Sequence, residues 1–172
     1  MELHLASHHF TRRVPDWRAA VLSGFAAGVV FLVVELVALW LMGESPWWPP
    51  RMIVGIALAR DVLSQAAPDA GIVLAALLVH FMLSIAFGLI LAVIMAPFSF
   101  DSSIGVASLV GAVFGLAVYV INFYGITTVF PWLADARGAP SFLAHVVFGL
   151  VAADAYRIER REDRPSGLGS AG

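Results

Sequence analysis

The chain has 172 residues, of which 60% are hydrophobic and only 13% charged, with a mean hydropathy of +0.90. A soluble domain carries about a quarter charged residues, so this composition points to an integral membrane protein. The net charge of -2 leaves no basic face for nucleic acid, and the absence of cysteine excludes disulfides, iron–sulfur clusters, thiol catalysis and lipoprotein anchoring.

The first element predicted is a membrane span over 19–42, charged only at Glu35. It is too long for a signal-peptide core and lacks a small-x-small site after it, so it is expected to be a retained helix. A shorter segment follows, PPRMIVGIALARDVLS, in which Met52, Ile56, Ala59 and Leu63 share one helical stripe. Pro49 and Pro50 mark its start and Pro68 its end. It is too short to span, and an interfacial helix over about 51–64 is expected. Three further apolar runs, 71–96, 106–130 and 140–156, reach or approach the ~20 residues that ~30 Å of hydrocarbon requires.

Arginine placement orients the chain. Arg12, Arg13 and Arg18 precede the first span, and Arg157, Arg160, Arg161 and Arg164 follow the last, whereas Arg51, Arg60 and Arg137 lie on the opposite side. Both termini are therefore expected in the cytoplasm, in a bacterial inner membrane. A cytoplasmic N-terminal tail (1–18) would precede a transmembrane domain (19–158) and a disordered cytoplasmic tail (159–172). Trp47, Trp48 and Trp132 are expected to form an outer aromatic belt, with Trp17 and Tyr156 near the inner one. His4, His8 and His9 fall in the N-terminal tail.

The four spans contain an internal repeat. Gly24, Gly28 and Glu35 are spaced by four and seven residues, and Gly111, Gly115 and Asn122 have the same spacing. SIAFGLILA (84–92) aligns with HVVFGLVAA (145–153), which pairs Ser84 with His145 and His80 with Ser141. The fold class expected is an all-α membrane protein with four transmembrane helices, arranged as two parallel-repeated hairpins plus one interfacial helix. The glycine pairs Gly24/Gly28 and Gly111/Gly115 are GxxxG motifs that let helix backbones approach closely.

Polar groups inside the spans are the candidate site. At 1.5 Å per residue, Glu35, Asn122, His80 and His145 each lie about 4–7 Å outward of the centre of their own span, forming one polar layer. A charge at mid-membrane costs about 2.5–3.5 kcal/mol on insertion scales. Glu35 can avoid that cost as a neutral carboxyl bonded to Asn122 or a histidine, or by pairing with a histidinium. Ser84 and Ser141, each one turn from a histidine, could extend a hydrogen-bonded path, although such serines usually bond the carbonyl one turn back. No oxyanion hole accompanies them, so no enzyme and no catalytic residue is expected. His80 and His145 could instead ligate haem b, or a metal ion together with Glu35. Asp154 and Arg157, three residues apart, are expected to form an ion pair.

PWWPPRMIVGIAL, HFMLSIAFGLILA, NFYGITTVFPW and HVVFGLVAADAY together resemble short bacterial four-helix integral membrane proteins of uncharacterised function. Some of these carry the label "sodium:proline symporter". The resemblance covers roughly Ala19 to Arg160, with NFYG…FPW its most specific part, and it implies a glutamate at the position of Glu35 and histidines at those of His80 and His145. Sodium:solute symporters proper are several times longer, so transport by this chain would require a homo-oligomer or a larger membrane complex. Three functions stay open: handling or sensing of protons or cations, a structural or stress-response role in the lipid bilayer, and a haem- or metal-binding subunit.

The arginine distribution predicts that a C-terminal green fluorescent protein fusion is bright and a C-terminal alkaline phosphatase fusion inactive. The opposite pattern would overturn the orientation.

Overall fold

The computed structural model describes residues 14–58, 60–64 and 69–162. Five α-helices carry the fold: α1 (Trp17–Met42), α2 (Trp48–Leu58), α3 (Ala70–Phe98), α4 (Ile104–Val120) and α5 (Ala139–Glu162). No strand occurs among these residues, and four segments, Trp17–Met42, Ala70–Phe98, Ile104–Thr128 and Ala139–Arg160, are long and apolar enough to cross a membrane. The last is longer than the sequence suggests, because α5 continues to Glu162, so residues 159–162 are helix rather than tail. The N-terminal histidines, Pro68, Ala59 and residues 163–172 lie outside the described residues.

Local chemistry sets the helix ends. Asp16, Asp69 and Ser103 cap α1, α3 and α4, accepting from the backbone N–H groups of Ala19, Ile72 and Val106 at 3.0, 2.9 and 3.2 Å. Gly43 ends α1 at φ 70°, a left-handed conformation that suits glycine. Beyond α4 the chain widens into a π-helix, Ile121–Gly125, closed by the bond from the Ile126 N–H to the Ile121 carbonyl. Two 3-10 segments, Ile126–Thr128 and Pro131–Ala136, lead on to α5.

Helix packing follows small residues. α1 packs on α3 and on α5, and α4 packs on α5, while α3 and α4 barely touch. A Cβ at Gly24 would stand 2.7 Å from the Ser84 carbonyl oxygen, and one at Gly88 would stand 2.6 Å from that of Ala20. The second helix pair repeats this arrangement: a Cβ at Gly111 would strike the Gly149 carbonyl, one at Gly115 that of His145, and one at Gly149 that of Gly111. Gly88 and Gly149 are the glycines of the two aligned FGL triplets. Backbone therefore meets backbone at equivalent places in both pairs, where dispersion contacts hold helices together in lipid. Large apolar side chains such as Leu36, Leu78 and Leu109 point outward around the bundle, as a lipid-facing surface requires.

α2 and the 3-10 turn Arg60–Ser64 close one end of the bundle. Met52 is buried against Tyr119, Phe123 and Leu133, with Ile56 and Leu63 packed beside them. The tryptophans join this cap instead of standing as a belt. Trp47 is buried among Val54, Val62, Ile72 and Ala76, and the Trp132 Nε1–H donates to the Met52 carbonyl at 3.1 Å. At the opposite end Tyr156 is also buried; its hydroxyl accepts from the Asp16 N–H at 3.1 Å.

The glycine contacts predict a sharp contrast between two substitutions. Gly115→Ala places a methyl on helix backbone and should cost about 1–3 kcal/mol. Gly105→Ala, with nothing within 4 Å of the added carbon, should cost nothing. Unfolding midpoints in mixed detergent micelles provide the comparison, and equal midpoints would show that the close approach does not hold the pair.

Candidate functional site: an intramembrane cavity

A cavity of about 480 Å³ lies inside the α2 half of the bundle. Its helical lining runs from Phe31 to Met42 on α1, His80 to Phe87 on α3, onward from Val118 on α4 and Pro140 to Phe148 on α5. Most of these positions lie on the α2 side of the glycine contacts, and Ser84 and His145 are themselves contact partners of Gly24 and Gly115. Glu35, His80, Ser84, Asn122, Ser141 and His145 all line this space. A smaller cavity of about 310 Å³ lies under α2 between α1 and α3, and Glu35 and His80 line both.

Hydrogen bonding divides the polar groups. The His145 Nδ1–H donates to the Ser141 carbonyl at 2.7 Å, so its Nε2 is the acceptor and takes the Asn122 side-chain N–H at 3.2 Å. Helix geometry explains how two residues at different levels meet. Side chains lean toward the N-terminus of their own helix, so on these antiparallel helices Asn122 and His145 lean toward each other. In the other pair, the His80 Nε2–H donates to the Gly28 carbonyl at 3.0 Å, leaving Nδ1 without a partner among the described residues. The Ser84 hydroxyl donates to the His80 carbonyl at 2.8 Å, the ordinary bond of a helical serine.

Glu35 stands apart. Its carboxyl makes no hydrogen bond and no ion pair among the described residues, although the side chain is half-buried and faces both cavities. The expected bond to Asn122 or to a histidine does not form: the Asn122 side-chain N–H goes to His145 and the His80 Nε2–H to the Gly28 carbonyl. Between the imidazoles stands the ring of Phe31, its centroid 5.5 Å from that of His80 and 4.9 Å from that of His145. Phe31 and Phe87 both pack against Phe148 at 6.4 Å, forming an aromatic floor.

This geometry does not suit the haem or metal readings. Both Nε2 atoms are engaged in hydrogen bonds, and a phenyl ring occupies the space between the imidazoles. Among the described residues no group of three metal-ligating side chains forms. Asp154 likewise departs from expectation: both carboxylate oxygens accept from the Ser108 hydroxyl at 3.0 Å, and no ion pair with Arg157 forms. The ion pair on this side is Asp101–Arg160 at 3.1 Å.

Several participants gave no readable sequence signal. Glu44, Asp135 and Arg137 line the α2 end of the cavity from connecting segments. The Arg137 Nε–H donates to the Phe123 carbonyl at 2.6 Å, its other nitrogen bonds Thr127 Oγ1 at 3.2 Å, and its guanidinium lies 4.6 Å from the Tyr124 ring centre. Arg137 thereby pins the π-helix that carries Asn122. A π-helix has no simple sequence signature, whereas the glycine partners could have been found from the aligned FGL triplets.

Compared with protein-family models, with curated proteins and with solved structures, the chain finds no match.

The hydrogen bonds predict different costs for substitutions in the cavity wall. Asn122→Ala leaves the His145 Nε2 acceptor unpaired and should destabilise by about 0.6–2 kcal/mol. Glu35→Gln and Glu35→Leu strand no partner and should be neutral or stabilising. Unfolding in mixed micelles tests both; a large loss with Glu35→Leu would mean that the carboxyl is bonded after all.

Proposed function

We propose that this chain is a small, non-catalytic inner-membrane protein that takes up or senses protons or cations in a cavity open toward the periplasm. The observation that carries this reading is the unpartnered carboxyl of Glu35, facing the cavity amid apolar helices. An ionisable group set within a candidate span and facing a cavity is in a membrane protein a functional site by default. The engagement of the Ser84 hydroxyl with backbone supports the absence of a hydrolytic role. Placement of the cavity mouth on the periplasmic side rests on the arginine count.

The same proposal includes two parallel hairpins of one design, supported by the matched glycine contacts. It also keeps the resemblance to short bacterial four-helix membrane proteins. On the other side of the glycine contacts, several polar groups pair with one another, Ser108 with Asp154, Asp101 with Arg160 and Asp16 with Tyr156, and none of them lines the cavity. One chain thus offers a blind cavity, which favours sensing or gated uptake over open conduction. Movement across the membrane would require a homo-oligomer or a larger complex.

A structural role is the competing reading, and one observation favours it: His80, Asn122 and His145 each bond across a helix pair. Glu35 separates the two, because it bonds nothing.

Vesicles with an enclosed pH dye and an imposed proton or sodium gradient test the proposal. The wild type should change the dye signal faster than empty vesicles, and Glu35→Gln should return the rate to that of empty vesicles. Equal rates in all three would remove uptake and leave sensing or the structural role.

A further inference from the structure

The cavity's chemistry distinguishes between kinds of cation. A hard ion such as sodium or calcium needs a shell of oxygen ligands, about six to eight for calcium. Backbone carbonyls usually supply many of them where a membrane helix is broken. Here the helix is broken at Ile121–Gly125, but the carbonyls next to the cavity are already engaged. The Phe123 carbonyl accepts from Arg137 and Thr127, and the Gly125 carbonyl from Thr128. The Gly28, Ser141 and His80 carbonyls are taken by His80, His145 and Ser84. Glu35 is left as an isolated carboxyl, and one carboxyl does not make an inorganic-ion cage.

The rest of the wall suits a different guest. It is mainly apolar, and the rings of Phe31, Trp48, Phe87, Phe123 and Phe148 all contribute to it. Aromatic faces attract organic cations, which carry a thin hydration shell and are stabilised by ring quadrupoles. The volume of about 480 Å³ falls in the range that holds a drug-sized molecule. Charge complementarity points the same way. Three carboxyls, Glu35, Glu44 and Asp135, line the space against one guanidinium, that of Arg137. Arg137 is held at the π-helix by two hydrogen bonds and the Tyr124 ring.

We propose that the cavity bounded by α1, α3, α4 and α5 binds a lipophilic organic cation, with its apolar body among the aromatic rings and its charge on the Glu35 carboxylate. This rests on the proposed cation-handling role and names its substrate class.

Equilibrium dialysis of the purified full chain in micelles, with empty micelles subtracted, tests the assignment. The probes are methyltriphenylphosphonium and its neutral counterpart triphenylphosphine oxide. The phosphonium should bind saturably, at least about tenfold tighter than the oxide, and Glu35→Gln should remove that preference. Glu35→Asp, which keeps the charge, should keep part of it, and helical circular dichroism should show all variants folded. Equal binding of the two probes, unchanged binding in Glu35→Gln, or no saturable binding would each overturn the inference. The vesicle measurement fails separately. Selective binding without ion flux keeps this site and removes ion uptake, while flux without phosphonium binding removes this site alone.

Discussion

The close approach of helix backbones at two glycine seams is the constraint on which the rest depends. In lipid there is no hydrophobic gain from bringing helices together, so association rests on contact and on hydrogen bonds. Gly24 and Gly88 make that contact for α1 and α3, with Gly28 seated on the Ser84 side chain, and Gly111, Gly115 and Gly149 make it for α4 and α5. Contact this tight cannot persist along a whole span once larger side chains intervene. Past Gly28 and Gly115 toward α2, the helices carry Phe31, Leu39, Val118 and Phe123 instead of glycine, and the space between them opens into the cavity. Both the cavity and the seams are thus consequences of where glycine stops.

That division also sets where polar groups can sit. On the far side of the seams, Asp154 meets Ser108, Asp101 meets Arg160 and Tyr156 meets Asp16, while the buried Arg157 Nε finds no acceptor among the described residues. Within the cavity half there is room for choice, and the two helix pairs choose differently. The second pair links Asn122 to His145 side chain to side chain, whereas the first links His80 to the Gly28 backbone. The equivalent of Asn122 in the first helix is Glu35, and the equivalent of His145 is Ser84. The hydroxyl of Ser84 is short and already bonded within its own helix, so Glu35 finds nothing to hold.

Sequence reading reached the seams and the spans because both depend on one-dimensional pattern. Span length is a run of apolar residues, and a GxxxG seam is a fixed spacing on one helix face. That Glu35, His80, Asn122 and His145 would face one space was legible for the same reason, since rise per residue is constant. Their pairing was not, because partners depend on helix rotation, side-chain lean and the local widening at Ile121–Gly125. The tryptophans misled for a related reason. Trp47 and Trp132 lie at the depth of a belt, yet α2 folds over the bundle and buries Trp47, a tertiary event with no local signature. The mouth groups Glu44, Asp135 and Arg137 come from connecting segments, where charge is ordinary and only assembly gives it meaning.

The energetic roles of the polar residues therefore separate. His80, Asn122 and His145 each have a packing account, because each bond crosses a helix pair and fixes its register. Interhelical bonds of that kind contribute about 0.6 kcal/mol on average in measured membrane proteins. Glu35 has no such account. Its placement costs up to about 2.5–3.5 kcal/mol as a charge at the span centre, with no bond among the described residues to offset it. Folding alone would favour a leucine there, as at Leu32 or Leu36 on the same helix. A residue that folding disfavours, set at the wall of a space that folding leaves open, is what the proposed uptake or sensing role would account for.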